Sequence, residues 1–293
     1  MKGSNINWGV VIVAYNPDTL DFNKKIEKVT KLTKNLIIVN NGDDLVETGL
    51  DYTLVNLREN RGIAYAQNFG AKLLSLREVE LIFFFDQDSD FNDDYFEIML
   101  KEWKMLSSLD SSIGMLSPSV IDKNFNYSQP ILILKNNSIE KVVLNKEDES
   151  IKDTLPISSG ILVSDAAFKK VKGTKEDYFI DYVDFELDLN FINSGYSIYS
   201  TGKAFIRHAI GKKEKRKFLF KSIYPSNHPV FREYYFMRNG ILVYKSYGKY
   251  FKGVKNLIIM NAIRRFLYTF YEENTMLRIS KLCKGIVDAR KNV

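Results

Sequence analysis

Over the first 120 positions apolar residues gather in short runs, at 9–14, 36–39, 52–57, 81–85 and 113–116. Between them lie stretches with apolar residues at helical spacing, near 19–34, 63–76 and 92–107. The runs are too short for helices, and they read as strands buried on both faces. The alternation is a βαβ rhythm, which predicts a mostly parallel sheet flanked by helices. Asp18 before Thr19-Leu20 and Asn92 before Asp93-Asp94 are predicted helix caps.

The rhythm breaks at 117–155, a segment richer in Asn, Ser and Lys whose short runs, such as Ile131-Leu132-Ile133-Leu134, predict a β excursion. It resumes at 157–163 and is followed by an acidic cluster at 176–188 and two predicted strands, 196–200 and 204–207. From 212 the chain is rich in Lys and Arg and is predicted helical to its end. The expected organisation is therefore an α/β domain over 1–211 and a basic, aromatic-rich helical extension over 212–293.

At 293 residues the chain can bury a full core. Its single Cys283 excludes an internal disulfide framework and a multi-cysteine zinc site, and it fits a reducing compartment. Residues 8–15 read as a first strand rather than a secretory signal. No stretch reaches the ~20 apolar residues that span a bilayer, and 257–271 is interrupted by Arg264-Arg265. A cytoplasmic location is expected. The net charge of +6 hides an asymmetry: residues 203–293 carry 21 Lys and Arg against 5 Asp and Glu, leaving the first 202 residues at −10. That points to an anionic partner for the C-terminal third. No nucleic-acid-binding module is recognisable, so nucleic acid is not expected.

Chemistry concentrates where the run Leu81-Ile82-Phe83-Phe84-Phe85 ends in Asp86-Gln87-Asp88-Ser89-Asp90. Ionised carboxylates cannot follow such a strand into the core, so they emerge at its C-terminal edge, where open α/β sheets bind ligands. Two carboxylates one residue apart suit a hard divalent cation shared with phosphates, although a capped turn would look the same. In 60–70, Gly62, Ala64, Ala66 and Gly70 line one helix start, allowing close approach of a ligand or tight packing on the sheet. If 181–189 is helical, Asp181, Asp184 and Asp188 share one face; an exposed acidic helix and a general base in a cleft are both open. His208 ends a strand-like run. In the last third, Phe251, Leu257, Ile258, Phe266, Tyr268 and Phe270 interleave with Lys252, Lys255, Arg264 and Arg265, and Phe218, Leu219 and Phe220 lie among Lys212, Lys213, Lys215, Arg216, Lys217 and Lys221. This suits an anionic membrane surface, and equally a helical pair packing on the body or on a second subunit as a homodimer.

Together these motifs resemble the inverting glycosyltransferases of family 2, with the GT-A fold, and within them the bacterial rhamnosyltransferases. The resemblance rests on residues 11–17, Val39-Asn40-Asn41-Gly42, 60–70, Asp86-Gln87-Asp88-Ser89, Ser159-Gly160, 181–189, His208-Ala209-Ile210-Gly211 and 231–239. It implies a GT-A core (Rossmann-like, mostly parallel sheet with flanking helices) followed by the basic helical extension. It further implies that Ala14, Tyr15, Asn16 and Asn40 line the nucleobase and ribose pocket. Arg61, Gly62, Ala66, Gln67 and Asn68, with Asp86 and Gln87, would flank the nucleotide and its diphosphate. Asp86, Asp88 and His208 would hold Mn²⁺ or Mg²⁺, and Asp184 would be the general base. Val183 stands where relatives carry a glutamate beside that base, so Asp181 and Glu186 are substitutes for it. Many relatives carry an aspartate where Asn40 stands.

The implied donor is dTDP-β-L-rhamnose, with UDP-galactofuranose or another UDP-hexose as the alternative. The implied acceptor is a lipid-linked saccharide at the inner face of a bacterial membrane. A non-catalytic nucleotide-sugar or polyanion-binding module is the rival from another class. The chain shows no Ser-His or Cys-His constellation, and a single inverting displacement requires none.

Overall fold

A computed structural model describes residues 6–45, 48–124, 126–208, 216–218, 221–223, 225 and 227–291. In chain order it begins with β1 (Trp8–Ala14), α1 (Thr19–Thr30), β2 (Leu36–Asn40), β3 (Thr53–Asn56), α2 (Gly62–Ser75), β4 (Leu81–Asp86), β5 (Asp90–Phe91), α3 (Tyr95–Leu109) and β6 (Ile113–Asp122). Short strands follow: β7 (Tyr127–Ser128), β8 (Ile131–Lys135), β9 (Ser138–Val142), β10 (Ile151–Lys152) and β11 (Thr154–Leu155). Then come β12 (Ile161–Ser164), α4 (Asp165–Lys170), a 3₁₀ turn (Glu176–Tyr178), α5 (Val183–Asn193) and β13 (Ser197–His208). After these are β14 (Arg216–Phe218), β15 (Lys221–Ile223), α6 (Arg232–Tyr247), α7 (Lys252–Tyr268), a second 3₁₀ turn (Thr269–Tyr271) and α8 (Thr275–Lys291).

The main sheet has the order β10-β13-β6-β12-β4-β1-β2-β3. β1 pairs parallel with β2 and β4, β2 with β3, and β13 with β6. Only short strands run against this direction, including β12 between β4 and β6. The mostly parallel α/β architecture expected from the hydrophobic pattern is the one observed.

Period-two alternation sends the side chains of each strand to opposite layers. Val10 and Ile12, with Phe83 and Phe85, pack beneath Phe22, Ile26, Tyr95, Phe96 and Met99 of α1 and α3. Val11 and Val13, with Ile82 and Phe84, pack against Ala66, Leu74, Phe168 and Phe191 on the other side. The aromatic residues of β4 pack on their neighbours, Phe83 edge-on to Phe96 and Phe85 tilted on Phe91, each at 4.9 Å between ring centres. Each buried Phe contributes roughly 1.5–3 kcal/mol, so β4 is firmly held up to the point where Asp86 leaves the core.

Several boundaries differ from the sequence expectation. Asp18 caps α1 as expected, accepting from the backbone N–H groups of Leu20 and Asp21. Asn92 does not cap α3; the helix starts three residues later, after Asp94, and Asn92 supplies only its carbonyl to the N–H of Tyr95. β6 does not stop at 116: it runs on to Asp122 because β13 pairs with it along its length. The two predicted strands 196–200 and 204–207 are one strand, with register shifts between Ser197 and Ile198 and between Thr201 and Phe205. The extension is not helical from 212, since Arg216–Phe218 and Lys221–Ile223 form an antiparallel pair.

The chain forms two compact units. One comprises Met1–Ile133, Lys141–Phe179 and Val183–His208; the other comprises Leu134–Glu140, Ile180–Tyr182 and Ala209–Val293. The second unit therefore takes in two segments from within 1–211. Asn239 donates to the carbonyls of Ile180 and Asp181, each at 2.9 Å. Gly253 donates to the carbonyl of Asn137 at 2.6 Å.

Candidate active site

In the first unit β2 and β3 lie on one side of β1 and β4 on the other, so strand order reverses between β1 and β4. A crevice opens outside the carboxyl ends of the strands at such a point. Here Ala14-Tyr15-Asn16 leave β1 and Asp86-Gln87-Asp88 leave β4. Gln87 joins them: its Oε1 accepts from the Tyr15 N–H at 2.5 Å and its Nε2 donates to the Tyr15 carbonyl at 3.0 Å. Lys25, buried on the inner face of α1, donates to the Gln87 carbonyl. Burial lowers the Lys25 pKa to about 8, with the Asp90, Asp88 and Asp86 carboxylates opposing the shift. The signal for Lys25 was in the sequence as a cation on the apolar stripe Phe22, Ile26, Val29, and the sequence reading passed over it.

The strand ends are braced by amides. Asn16 adopts φ +49° and accepts from the Asp43 N–H at 2.8 Å. A Cβ on Gly42 would lie 2.1 Å from the Asn16 Oδ1, so only glycine fits there. Asn40 is fully buried; it donates to the Asp43 carbonyl and to Asn56, and accepts from the Gly42 N–H. Tyr15, by contrast, leaves its ring half exposed at the crevice.

The small residues of α2 resolve in favour of packing. Gly62 adopts φ +84°, and a Cβ there would lie 2.5 Å from the Phe179 carbonyl. A Cβ on Gly70 would lie 2.5 Å from a methyl of Val11. Ala64 and Ala66 are fully buried, and Gln67 is buried too. Asn68 bridges the Thr174 backbone and Glu176. Arg61 stays at the surface, its guanidinium 3.6 Å from the centre of the Tyr65 ring.

The carboxylates meet His208 because β5 pairs antiparallel with the end of β13, Asp90 opposite Arg207 and Phe91 opposite Ile206. His208 Nδ1 lies 3.2 Å from Asp88 Oδ1 and 2.8 Å from Ser89 Oγ. Ser89 Oγ is 2.7 Å from Ser159 Oγ, which accepts the Asp86 N–H at 3.0 Å. Ser89 and Ser159 are buried. This relay ties the imidazole to the β4 turn and was missed at the sequence level, where Ser89 and Ser159 carried no role. In the neutral imidazole the Asp88 carboxylate, which can only accept, favours the proton on Nδ1 and leaves the Nε2 lone pair free for a ligand bond.

One potential ligand atom from each of Asp86, Asp88 and His208 lies within 4.8 Å of the others. Burial, joined by the charges of Asp88 and Asp184, pushes the Asp86 carboxyl up to about 6, against the pull of His208 and Lys25. Burial also acts to raise Asp88, but the hydrogen bond and charge of His208, with Lys123, bring it net below the ordinary range. Burial acts to lower His208, and Asp88 and Asp86 outweigh it and raise its pKa. Carboxylate oxygens and an imidazole around a site short of positive charge are the donors a Mn²⁺ or Mg²⁺ ion takes.

Asp184 and Asp188 lie four apart in α5 and share a face as expected, but Asp181 does not join them. Asp181 precedes α5 at φ +62° and takes both arms of the Arg232 guanidinium at 3.0 and 2.6 Å. Glu186 is fully buried, 3.0 Å from Lys175 Nζ. Asp188 is buried, and burial together with Asp184 and Glu186 holds its carboxyl well above the ordinary range. Asp184 sits half-buried in the first turn of α5, near enough to Asp86 to raise its pKa. Of the expected family motif around His208, Ala209, Ile210 and Gly211 lie outside the described residues, as do Lys212, Lys213 and Lys215, Leu219 and Phe220, and the side chains of Arg216, Lys217, Phe218 and Lys221.

Comparison with known proteins agrees with this fold. No known family profile matches the chain. It is 31% identical over 247 residues to the dTDP-rhamnosyl transferase RfbF of Shigella flexneri, covering 82% of this chain and 80% of that one. Among solved structures it resembles GalNAc-T7 with UDP, GalNAc and Mn²⁺, with a TM-score of 0.54 and 12% identity over 71% of this chain. It also resembles the 1–349 segment of S. aureus TarS, with a TM-score of 0.50 and 15% identity over 70% of this chain. The chain spans 44% of the first of these structures and 60% of the second, and at such identities the likeness is one of fold.

Proposed function

Because this chain belongs to the GT-A glycosyltransferases of family 2, with a bacterial rhamnosyltransferase among its relatives, we propose that it transfers L-rhamnose from dTDP-β-L-rhamnose to a hydroxyl of a growing lipid-linked polysaccharide. The observation that carries this reading is the meeting of Asp86, Asp88 and His208 at the switch point of the sheet, with Asp184 in electrostatic reach. A divalent cation held by these three residues would neutralise charge on the departing diphosphate.

The chain's own residues do the rest. The exposed Tyr15 ring, beside Ala14 and Asn16, offers a surface for the nucleobase. Asn40 holds the loop that frames this pocket. Gln87 keeps the β1 and β4 ends in register, and Arg61 supplies surface charge for the diphosphate. Gly62, Ala66, Gln67 and Asn68 serve by seating α2 rather than by touching the donor. Asp184 takes the proton of the acceptor hydroxyl as its oxygen bonds to the anomeric carbon. The bond from that carbon to the phosphate oxygen breaks on the opposite face, and its electron pair leaves with dTDP. The β-linked donor thus becomes an α-L-rhamnoside.

The test is a panel of nucleotide sugars assayed for nucleoside diphosphate release with and without Mn²⁺. Release from dTDP-rhamnose, and not from UDP-hexoses, is expected. Asp184→Asn should cut turnover by roughly 10²–10⁴-fold with donor affinity kept. Wild-type turnover that is equal in chelator, or an active Asp184→Asn, overturns the assignments of cation and base.

A further inference from the structure

The helix α7 is amphipathic in an unusual sense: it has one buried face and a second apolar face that nothing in the described structure covers. Val254, Ile258 and Arg265 anchor the inner side. Ile259, Met260, Ile263, Phe266, Leu267 and Phe270 are each between 42% and 62% exposed. At 100° per residue the five within α7 fall on one side of the helix, in a stripe about 12 Å long, and Phe270 follows in the 3₁₀ turn. Sequence periodicity does not separate these residues from the inner ones: Ile258 belongs to the same apolar run and is buried.

The charges around the stripe have one sign. Lys252 and Lys255 stand at its N-terminal end and Arg264 on its flank, all exposed. Tyr250, exposed just ahead of the helix, lies under Lys249 at 4.8 Å. No Asp or Glu occurs between 234 and 271. Glu233 and Glu272 at the borders are buried against Arg265 and Arg278, and Glu273 is the exposed acid beyond them. Parallel self-pairing of this face would bring lysines against lysines, and antiparallel self-pairing would offer them only the exposed Glu273 at the far end. An anionic lipid surface offers negative headgroups to the lysines and a hydrocarbon boundary to the stripe.

We propose that the outer face of α7 is a membrane-docking surface that seats the protein on an anionic leaflet. The proposal deepens the lipid-linked acceptor reading and rests on it only for its biological purpose.

The test is co-sedimentation of the full chain with phosphatidylcholine vesicles, with and without phosphatidylglycerol, at low salt. Nucleoside diphosphate release and sedimentation equilibrium are measured in parallel. Wild type should partition onto the phosphatidylglycerol vesicles, and Ile263→Glu/Phe266→Glu should lower that partition about tenfold or more while keeping its circular dichroism spectrum. Lys252→Gln/Lys255→Gln should weaken it less and mainly at low salt. Overturning results are no partition of wild type, equal partition of the glutamate variant, or a solution dimer that this variant dissociates. Vesicle binding without any donor turnover would sink the functional reading and leave this one standing.

Discussion

Two clusters of charge in this molecule are built on opposite principles. In the C-terminal unit Arg265 donates to Glu233 at 2.6 Å and to Glu272 at 3.0 Å, and Arg278 donates to Glu233 at 2.6 Å. All four side chains are buried, their formal charges cancel, and the carboxylates raise the Arg265 pKa despite burial. In the N-terminal unit Asp86 and His208 are partly buried and Asp88 is exposed, and burial with the neighbouring acids leaves the Asp86 pKa raised. The first cluster is complete within the chain and holds helices together. The second carries acids that its own cations match only in part, which is what suits it to the cation proposed above. A set of acids therefore becomes a candidate site through what remains uncompensated, and not through the number of charges.

The largest test breaks the complete cluster. Arg265→Met leaves two buried carboxylates with Arg278 as their guanidinium partner among the described residues and should cost about 3–5 kcal/mol of stability in urea unfolding. A loss below about 1 kcal/mol would mean that water, rather than Arg265, stabilises those acids.

Next comes completion of the incomplete cluster. Mn²⁺ at about a hundred times its dissociation constant should stabilise wild type by ~2.7 kcal/mol, seen as a raised Tm. Asp88→Asn should abolish most of that gain. An equal Tm rise in Asp88→Asn would place the cation elsewhere.

The smallest effects concern pH, where the two regions should slope in opposite directions. Burial, then the charges of Arg232 and Arg265, lower the His228 pKa to about 4. Its unfolded form binds the proton first, so stability should fall as pH drops from the ordinary 6.5 towards 4, by about 2 kcal/mol. Asp86 runs the other way. From the ordinary 3.8 up to about 6 the folded state keeps a proton that the unfolded state has lost, so stability falls as pH rises through that window. After discounting for solvent the effect is about 1 kcal/mol. Urea midpoints measured against pH in chelator should lose the first slope in His228→Gln and the second in Asp86→Asn. A single slope surviving both substitutions would defeat the comparison.

Much of this was legible in residue order. The apolar runs located β1, β2 and β4, because a strand buried on both faces has no freedom to be polar. The same rule required Asp86 and Asp88 to emerge at a strand end. The acids of 181–189 were not legible in this way. A helical period places Asp181, Asp184 and Asp188 together, but the chain turns through positive φ at Asp181 and Tyr182 and α5 begins only at Val183. Asp181 is then drawn to Arg232, 51 positions away.

What the sequence by itself determined is where the core strands lie and which residues could carry charge, since both depend on local pattern and on the cost of burial. Only the tertiary structure decided which charges meet and which stay unmatched. His208 reaches Asp88 through a two-residue strand pairing, Ser159 reaches Asp86 across the sheet, and Arg265 reaches Glu233 between helices. Those encounters span tens to more than a hundred positions along the chain. No local period encodes them, because the contacts that set them exist only once the sheet and helices have packed.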